Sequence, residues 1–259
     1  MPAEILKSGG LRFSAEPPVG RITLARPDTR NAQTPATWRA LAALGASLEP
    51  DLRVVVLDAE GPSFSSGLDR RLLGVSGIPD EPGLAELAAL EPAALDAAIA
   101  QFQAAFTWWR RSPAVTLAAV SGHAVGAGFQ LALACDLVVC AEDARFAMRE
   151  TSHGLVPDLG GTGRLVDAVG YGQALEICAT GRWVGAREAV DLGVAVAAVP
   201  SADLAAAVDD LVAALLGAPA GALRETKELL RGAVHRTEGE QLAAERAAQA
   251  RRLSDLSRG

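Results

Sequence analysis

The run LRVVVLDAE (52–60) is apolar without alternation and rich in β-branched residues, the pattern of a strand buried on both faces. AVTLAAVSG (114–122) and DLVVCAE (136–142) read the same way, and ARFAM (144–148) reads as a further strand. LRFSA (11–15) and VGRITLA (19–25) predict two more strands, joined by a turn containing Pro17 and Pro18. Thr34 caps and Pro35 opens a helix through TPATWRALAALGASL. Residues 95–111, ending FTWWRR, predict another, and GAGFQLALA (126–134) starts a third. Residues 74–94 carry several Gly and Pro, the composition of a surface loop with helical pieces. From about residue 160 the pattern is mostly helical: GGTGRLVDAVG, GQALEICATG and AREAVDLG, then three longer helices from 201. One strand, VAVAAV, interrupts them. The order strand–strand–helix recurs at least three times. It predicts an α/β core of stacked units over 1–200, with a helical region over 201–259 as a second layer or an oligomer contact. In that region LAAAVDDLVAALL is apolar along one face and needs cover.

Composition narrows the function classes. The chain has 259 residues, half hydrophobic and 21% charged, so it is a globular chain. A net charge of −7 argues against sequence-independent nucleic-acid binding. Cys135, Cys140 and Cys178 show no metal spacing, and neither do His123, His153 and His235, so no metal is expected. Local packing is the better reading for His123 and a structural role for His153. No apolar run reaches the roughly 18 residues of a membrane span. The first residues carry no basic segment followed by an apolar run. A soluble, cytoplasmic protein is the expectation. The chain lacks a P-loop, a complete G-x-G-x-x-G and a G-x-S-x-G elbow.

Three stretches carry candidate chemistry. In SGHAVGAGFQLALACDLVVC (121–140), small residues crowd the first half, and an uncharged amide, Gln130, sits where an apolar helix begins. A helix starting near Ala127 would present free N–H groups at its positive end to a ligand oxygen. In PSFSSGLDRRLL (62–73), Ser65 and Ser66 precede Gly67, and the loop could offer a second free N–H. Two such donors make an oxyanion hole. In RETSHGLVPDLGGTGRL (149–165), Glu150 and Asp158 lie eight residues apart across a Gly/Pro-rich turn, placed to share one pocket and move a proton.

In this order and spacing the stretches resemble the crotonase family, the enoyl-CoA hydratases and isomerases. The resemblance runs from RPDTRNA through FSSGLD, SGHAVGAGFQLALACDLV and GLVPDLGGTGRL to ATGRWVGAREAVDLGVAVAAVP and the late helices. It implies a spiral of stacked ββα units and a C-terminal helical region that builds a homotrimer or a dimer of trimers. It implies an acyl-CoA thioester substrate, with no metal or redox cofactor and no nucleic-acid or membrane partner. It makes the N–H groups of Ser66 and Ala127 the oxyanion donors. It lays coenzyme A along Arg30, Ala32, Ser66, Gly67, Leu68, Asp69 and Gly126, with Arg26, Arg30, Arg70 or Arg71 open as phosphate contacts. Family hydratases use two glutamates, whose positions match Gln130 and Glu150 here. Glu150 is present, Gln130 is an amide expected to face the reacting carbons, and Asp158 supplies a different second acid. Isomerisation is therefore expected over hydration. The alternatives are a hydratase using Glu150, with Gln130 orienting water, and a non-catalytic acyl-CoA binder. Phe129, Trp108, Trp109 and Leu159 are read as core before pocket wall.

Overall fold

A computed structural model describes residues 3–74 and 77–257. Its strands are β1 (Leu11–Glu16), β2 (Val19–Leu24), β3 (Val54–Ala59), β4 (Val115–Val120), β5 (His123–Val125), β6 (Leu137–Ala141), β7 (Arg145–Ala147), β8 (Val184–Gly185) and β9 (Ala197–Val199). Its helices are α1 (Ala3–Ser8), α2 (Pro35–Ser47), α3 (Leu84–Ala88), α4 (Pro92–Thr107), α5 (Ala127–Ala134), α6 (Gly161–Thr180), α7 (Ala186–Asp191), α8 (Leu204–Gly217), α9 (Ala220–Ala233) and α10 (Glu238–Leu256).

The larger sheet has the order β1-β2-β3-β4-β6-β9, parallel except for the β1–β2 hairpin. The smaller one has the order β5-β7-β8. Each of β4 and β6 is followed by a short strand of the smaller sheet and then a helix. That is the expected stacked ββα unit.

Alternation within the buried strands explains their unbroken apolar runs. Val55 and Leu57 of β3, Ala118 and Val120 of β4 and Cys140 of β6 face one core cluster. Their neighbours Val54, Val56, Leu117, Ala119 and Val139 face a second cluster with Val208 and Val212 of α8. The apolar face of α8 is therefore covered by the chain's own sheet, and its need for cover does not call for a second subunit. Within the helical region the exposed large apolar side chains lie further on, at Leu230, Val234, Leu242, Leu253 and Leu256 of α9 and α10 and their join. On the other face α2 packs on α4 through Trp38, whose ring centroid lies 4.9 Å from that of Phe102.

The α2 cap forms as its sequence predicts, with Thr34 and Thr37 bonding reciprocally. Two expected helical segments merge into α6 across a kink at Gly170, where φ is +76°. Buried Lys227 pins α9 to the core: its Nζ donates to Ala114 O at 2.6 Å and to Asp136 Oδ2 at 2.7 Å. Among the described residues no single helix is long and apolar enough to cross a membrane, and no His, Cys, Asp and Glu cluster could hold a metal ion.

Candidate active site

In open parallel sheets ligands bind beyond the carboxyl ends of the strands. Here three segments meet at those ends: the loop after β3, the β5–α5 turn and the turn after β7. A separate hollow of about 320 Å³, lined in part by Leu52, Trp108 and Ala114, lies at the opposite ends of β3 and β4, away from the acids.

The helix α5 begins as expected at Ala127. All eight of its residues are buried, so it is an interior helix. Gly126 caps it at φ +51°, and a Cβ there would come within 3.2 Å of Glu150 Oε1. The first intrahelical-type bond is that of Gln130 N to Gly126 O, which leaves Ala127 N–H without a partner among the described residues.

The second donor is not where the sequence placed it. Ser66 N–H donates to Arg30 O at 2.9 Å and is engaged. Beside Gly67, the Leu68 N–H has no partner among the described residues. Gln33 N donates to Gly67 O at 2.7 Å, and Asp69 N donates to Gln33 O at 2.8 Å. A trans peptide points its C=O and N–H in opposite directions. Gly67 O faces Gln33, so Leu68 N–H faces the other way, toward α5. There the Gly67 backbone closes on the helix start: a Cβ on Gly67 would lie 3.6 Å from Ala127 N.

Glu150 stands at the head of a short 3-10 turn, Glu150–His153. Its Oε1 accepts from Gln130 Nε2 at 2.7 Å. Its Oε2 is buried with no hydrogen-bond partner among the described residues. Burial pushes its pKa above the ordinary carboxylate value. The backbone N–H of Glu150 itself, the Gln130 hydrogen bond and the Arg149 N–H oppose the rise, and the charge of nearby Asp158 adds to it. Desolvation raises the Asp158 pKa as well. The residue is solvent-exposed as a whole, but its acid group is crowded by neighbours. Gln103 Nε2 holds the Asp158 carbonyl at 2.7 Å.

Gln130 does not turn its amide toward open space. Its Oε1 accepts from Leu159 N at 3.0 Å and from Gly161 N at 3.2 Å. Both partners are donors, which fixes the amide orientation and commits Nε2 to Glu150. Gln130 is 1% exposed. The amide bonds the acid at one end and the start of α6 at the other, so both of its polar atoms are engaged.

A hollow of about 230 Å³ adjoins the loop after β3. It brings together Ala32, Ser66, Leu68 and Asp69 with Thr29, Arg70 and Arg71. Asp69 is buried and takes Arg71 Nη2 at 2.8 Å and Arg26 Nη2 at 3.4 Å, and the Arg71 guanidinium lowers its pKa. Arg26 also donates to Ala32 O. Arg30 and Arg70 are exposed and have no ion pair among the described residues. Phe129 and Trp109 are fully buried and Trp108 stacks on Trp109, so these aromatics are core. His123 packs edge-on to Trp183 and meets Ser63 Oγ, while His153 is exposed. Asn31, which sequence reasoning passed over, ties the 26–32 turn to the loop after β3. Its Nδ2 donates to Glu60 O and Ser63 O, both at 2.8 Å.

Comparison with known proteins bears on this geometry. The family profile Enoyl-CoA hydratase/isomerase matches residues 14–258. A Mycobacterium tuberculosis protein described as an enoyl-CoA hydratase is 31% identical over 233 residues, 88% of this chain and 83% of its own. The mitochondrial Delta(3,5)-Delta(2,4)-dienoyl-CoA isomerase of Rattus norvegicus is 34% identical over 74% of this chain and 58% of its own. A Thermobifida fusca YX protein, described as an enoyl-CoA hydratase and solved in complex with CoA, superposes with a TM-score of 0.94. It is 45% identical over 100% of this chain and 98% of its own. The chain belongs to the enoyl-CoA hydratase/isomerase family of enzymes, the crotonase fold.

Proposed function

We propose that this enzyme shifts a double bond along an acyl-CoA thioester in preference to adding water across it. The observation that carries the preference is the Gln130 amide, neutral and hydrogen-bonded at both ends. It cannot serve as the second proton-transfer group of a two-carboxylate hydratase site, and Asp158 is the remaining acid beside Glu150. In this reading the thioester oxygen lies between the N–H groups of Leu68 and Ala127. Each donor contributes about 3–4 kcal/mol toward the enolate that forms. Glu150 Oε2 takes a proton from the carbon next to the thioester. The negative charge spreads into the dienolate, and a proton from Glu150 or Asp158 is delivered at its far end. Atoms and charge balance without a cofactor.

Coenzyme A would run along the hollow at Ala32, Leu68 and Asp69, with Arg30 and Arg70 free to meet phosphates. The Thermobifida fusca relative solved with CoA supports this class of substrate. Assembly through the exposed apolar side chains of α9 and α10, as a trimer or a dimer of trimers, belongs to the same proposal. The second reading is a hydratase acting through Glu150, and the relatives described as enoyl-CoA hydratases favour it. Rates on a 3-enoyl-CoA and on crotonyl-CoA separate the two. Faster isomerisation is expected. Crotonyl-CoA hydration at about 10²–10³ s⁻¹, the upper part of the usual kcat range, with no isomerisation, would overturn the preference.

A further inference from the structure

We infer that Gln33 and Ser65 are positioning residues for the reaction, a buried side-chain relay that sets the aim of the Leu68 N–H. The inference rests on the reading of Leu68 as an oxyanion donor.

Both residues are completely buried. Trp38 Nε1 donates to Gln33 Oε1 at 2.8 Å. That fixes the Gln33 amide and directs its Nε2 to Ser65 Oγ, 3.1 Å away. Ser65 Oγ donates to Asn31 O at 2.7 Å and accepts from Gly67 N at 3.2 Å. A hydroxyl has one proton and two lone pairs. All three are used here, so its rotor has a single setting.

The consequence falls on two successive peptides. The Ser66–Gly67 peptide is held by its N–H on Ser65 Oγ. The Gly67–Leu68 peptide is held by its C=O on Gln33 N. Gly67 sits at φ +83°, a region that a glycine enters and leaves at little cost. Without the relay the Ser66–Gly67 peptide loses its side-chain anchor, and at this glycine the Leu68 N–H can tilt about the remaining bond from Gln33 N to Gly67 O. With it, the plane of the donor is fixed before substrate arrives. A preorganised donor costs no reorganisation at the moment of reaction. Close packing guards the same point, since a Cβ on Gly128 would lie 2.8 Å from Ser65 Cβ.

The test compares Ser65→Ala and Gln33→Met with wild type, each checked for folding by circular dichroism. Steady-state rates are measured on the best acyl-CoA. A bound dimethylaminocinnamoyl-CoA reports carbonyl polarisation as a red shift of its absorbance. Ser65→Ala is expected to lower kcat about 10- to 10²-fold with KM nearly unchanged, short of the 10²–10³-fold cost of losing a donor outright. It should also lose most of the red shift, and Gln33→Met should lose part of both. A merely structural role would leave the spectrum of the bound, folded fraction as in wild type. Folded variants with the full red shift therefore overturn the relay, whatever their rates. If Ser65→Ala does not fold, Gln33→Met decides by the same criterion. If wild type itself gives no red shift on binding, the oxyanion reading fails, which is a different failure from loss of the relay.

Discussion

Gln130→Glu puts a carboxylate oxygen where Gln130 Nε2 now donates to Glu150 Oε1 at 2.7 Å. The other oxygen keeps the two backbone donors, Leu159 N and Gly161 N, so the local fold has reason to persist. Two carboxylates at that separation repel by about 6 kcal/mol at an effective dielectric constant of 20. Thermal energy is roughly ten times smaller, so the pair holds one proton between them at neutral pH. A shared, exchangeable proton is what the amide cannot supply. One positioned acid–base group contributes about 10²–10⁴-fold, and hydration of crotonyl-CoA is expected to rise by about 10²-fold. The assay is the initial loss of enoyl-thioester absorbance for wild type and variant, with circular dichroism to confirm folding. A folded variant that hydrates no faster than wild type would refute the argument that the amide limits water addition.

Glu150→Gln should retain acyl-CoA binding by calorimetry and lose turnover by about 10²–10⁴-fold. The wild-type rate should rise with pH over a limb displaced above the ordinary glutamate value of 4.5, as burial requires, and a limb at or below that value would contradict the raised pKa. Asp69 has a lowered pKa, so its contribution to stability is present above 3.8 and lost as pH falls through its folded value. Asp69→Asn should flatten acid unfolding in that window, and an unchanged acid midpoint would speak against it. Lys227→Met removes one partner of a buried pair and should cost about 3–5 kcal/mol in denaturant unfolding, and a loss below about 1 kcal/mol would show that the node does not hold α9. Light scattering should give a trimer or hexamer, and a monomer at micromolar concentration would end the assembly proposal.

The sequence reveals what side chains announce. The long apolar runs of β3, β4 and β6 are legible because both faces of each strand are buried, and Thr34 and Pro35 mark the start of α2. The short strand β5 is hidden, because SGHAV offers glycine and an exposed histidine where a strand is expected to show β-branched residues. The proposed second oxyanion donor is hidden for a different reason. A backbone N–H carries no residue signature: Arg30 O occupies Ser66 N–H, and the pairing of Gln33 with Gly67 and Asp69 leaves Leu68 N–H without a partner among the described residues. The orientation of Gln130 depends on donors 29 and 31 positions away. The covered face of α8 depends on β3, β4 and β6, all far earlier in the chain. Contacts at that range leave no periodicity to read.

The treatment of two carboxylates separates scaffold from chemistry. Asp69 and Glu150 are both acids on turns beside glycines, and composition alone does not rank them. Asp69 receives the Arg71 guanidinium through Nε and Nη2, the Arg71 N–H and the Arg26 guanidinium. Every one of these favours its charged form, and its pKa falls. An anion so fully compensated has little tendency to bind a proton, which suits it to holding the loop after β3 in place. Glu150 receives only neutral donors, the Gln130 amide and the backbone N–H groups of Glu150 and Arg149, and has a second carboxylate nearby. Its carboxyl lies beside Gly126, the cap of the helix that starts at Ala127, and its Oε2 is buried without a hydrogen-bond partner among the described residues. Leaving a buried acceptor unpaired costs about 1–3 kcal/mol or more. A group kept at that cost, with its proton affinity raised, is suited to the proton transfer proposed for it.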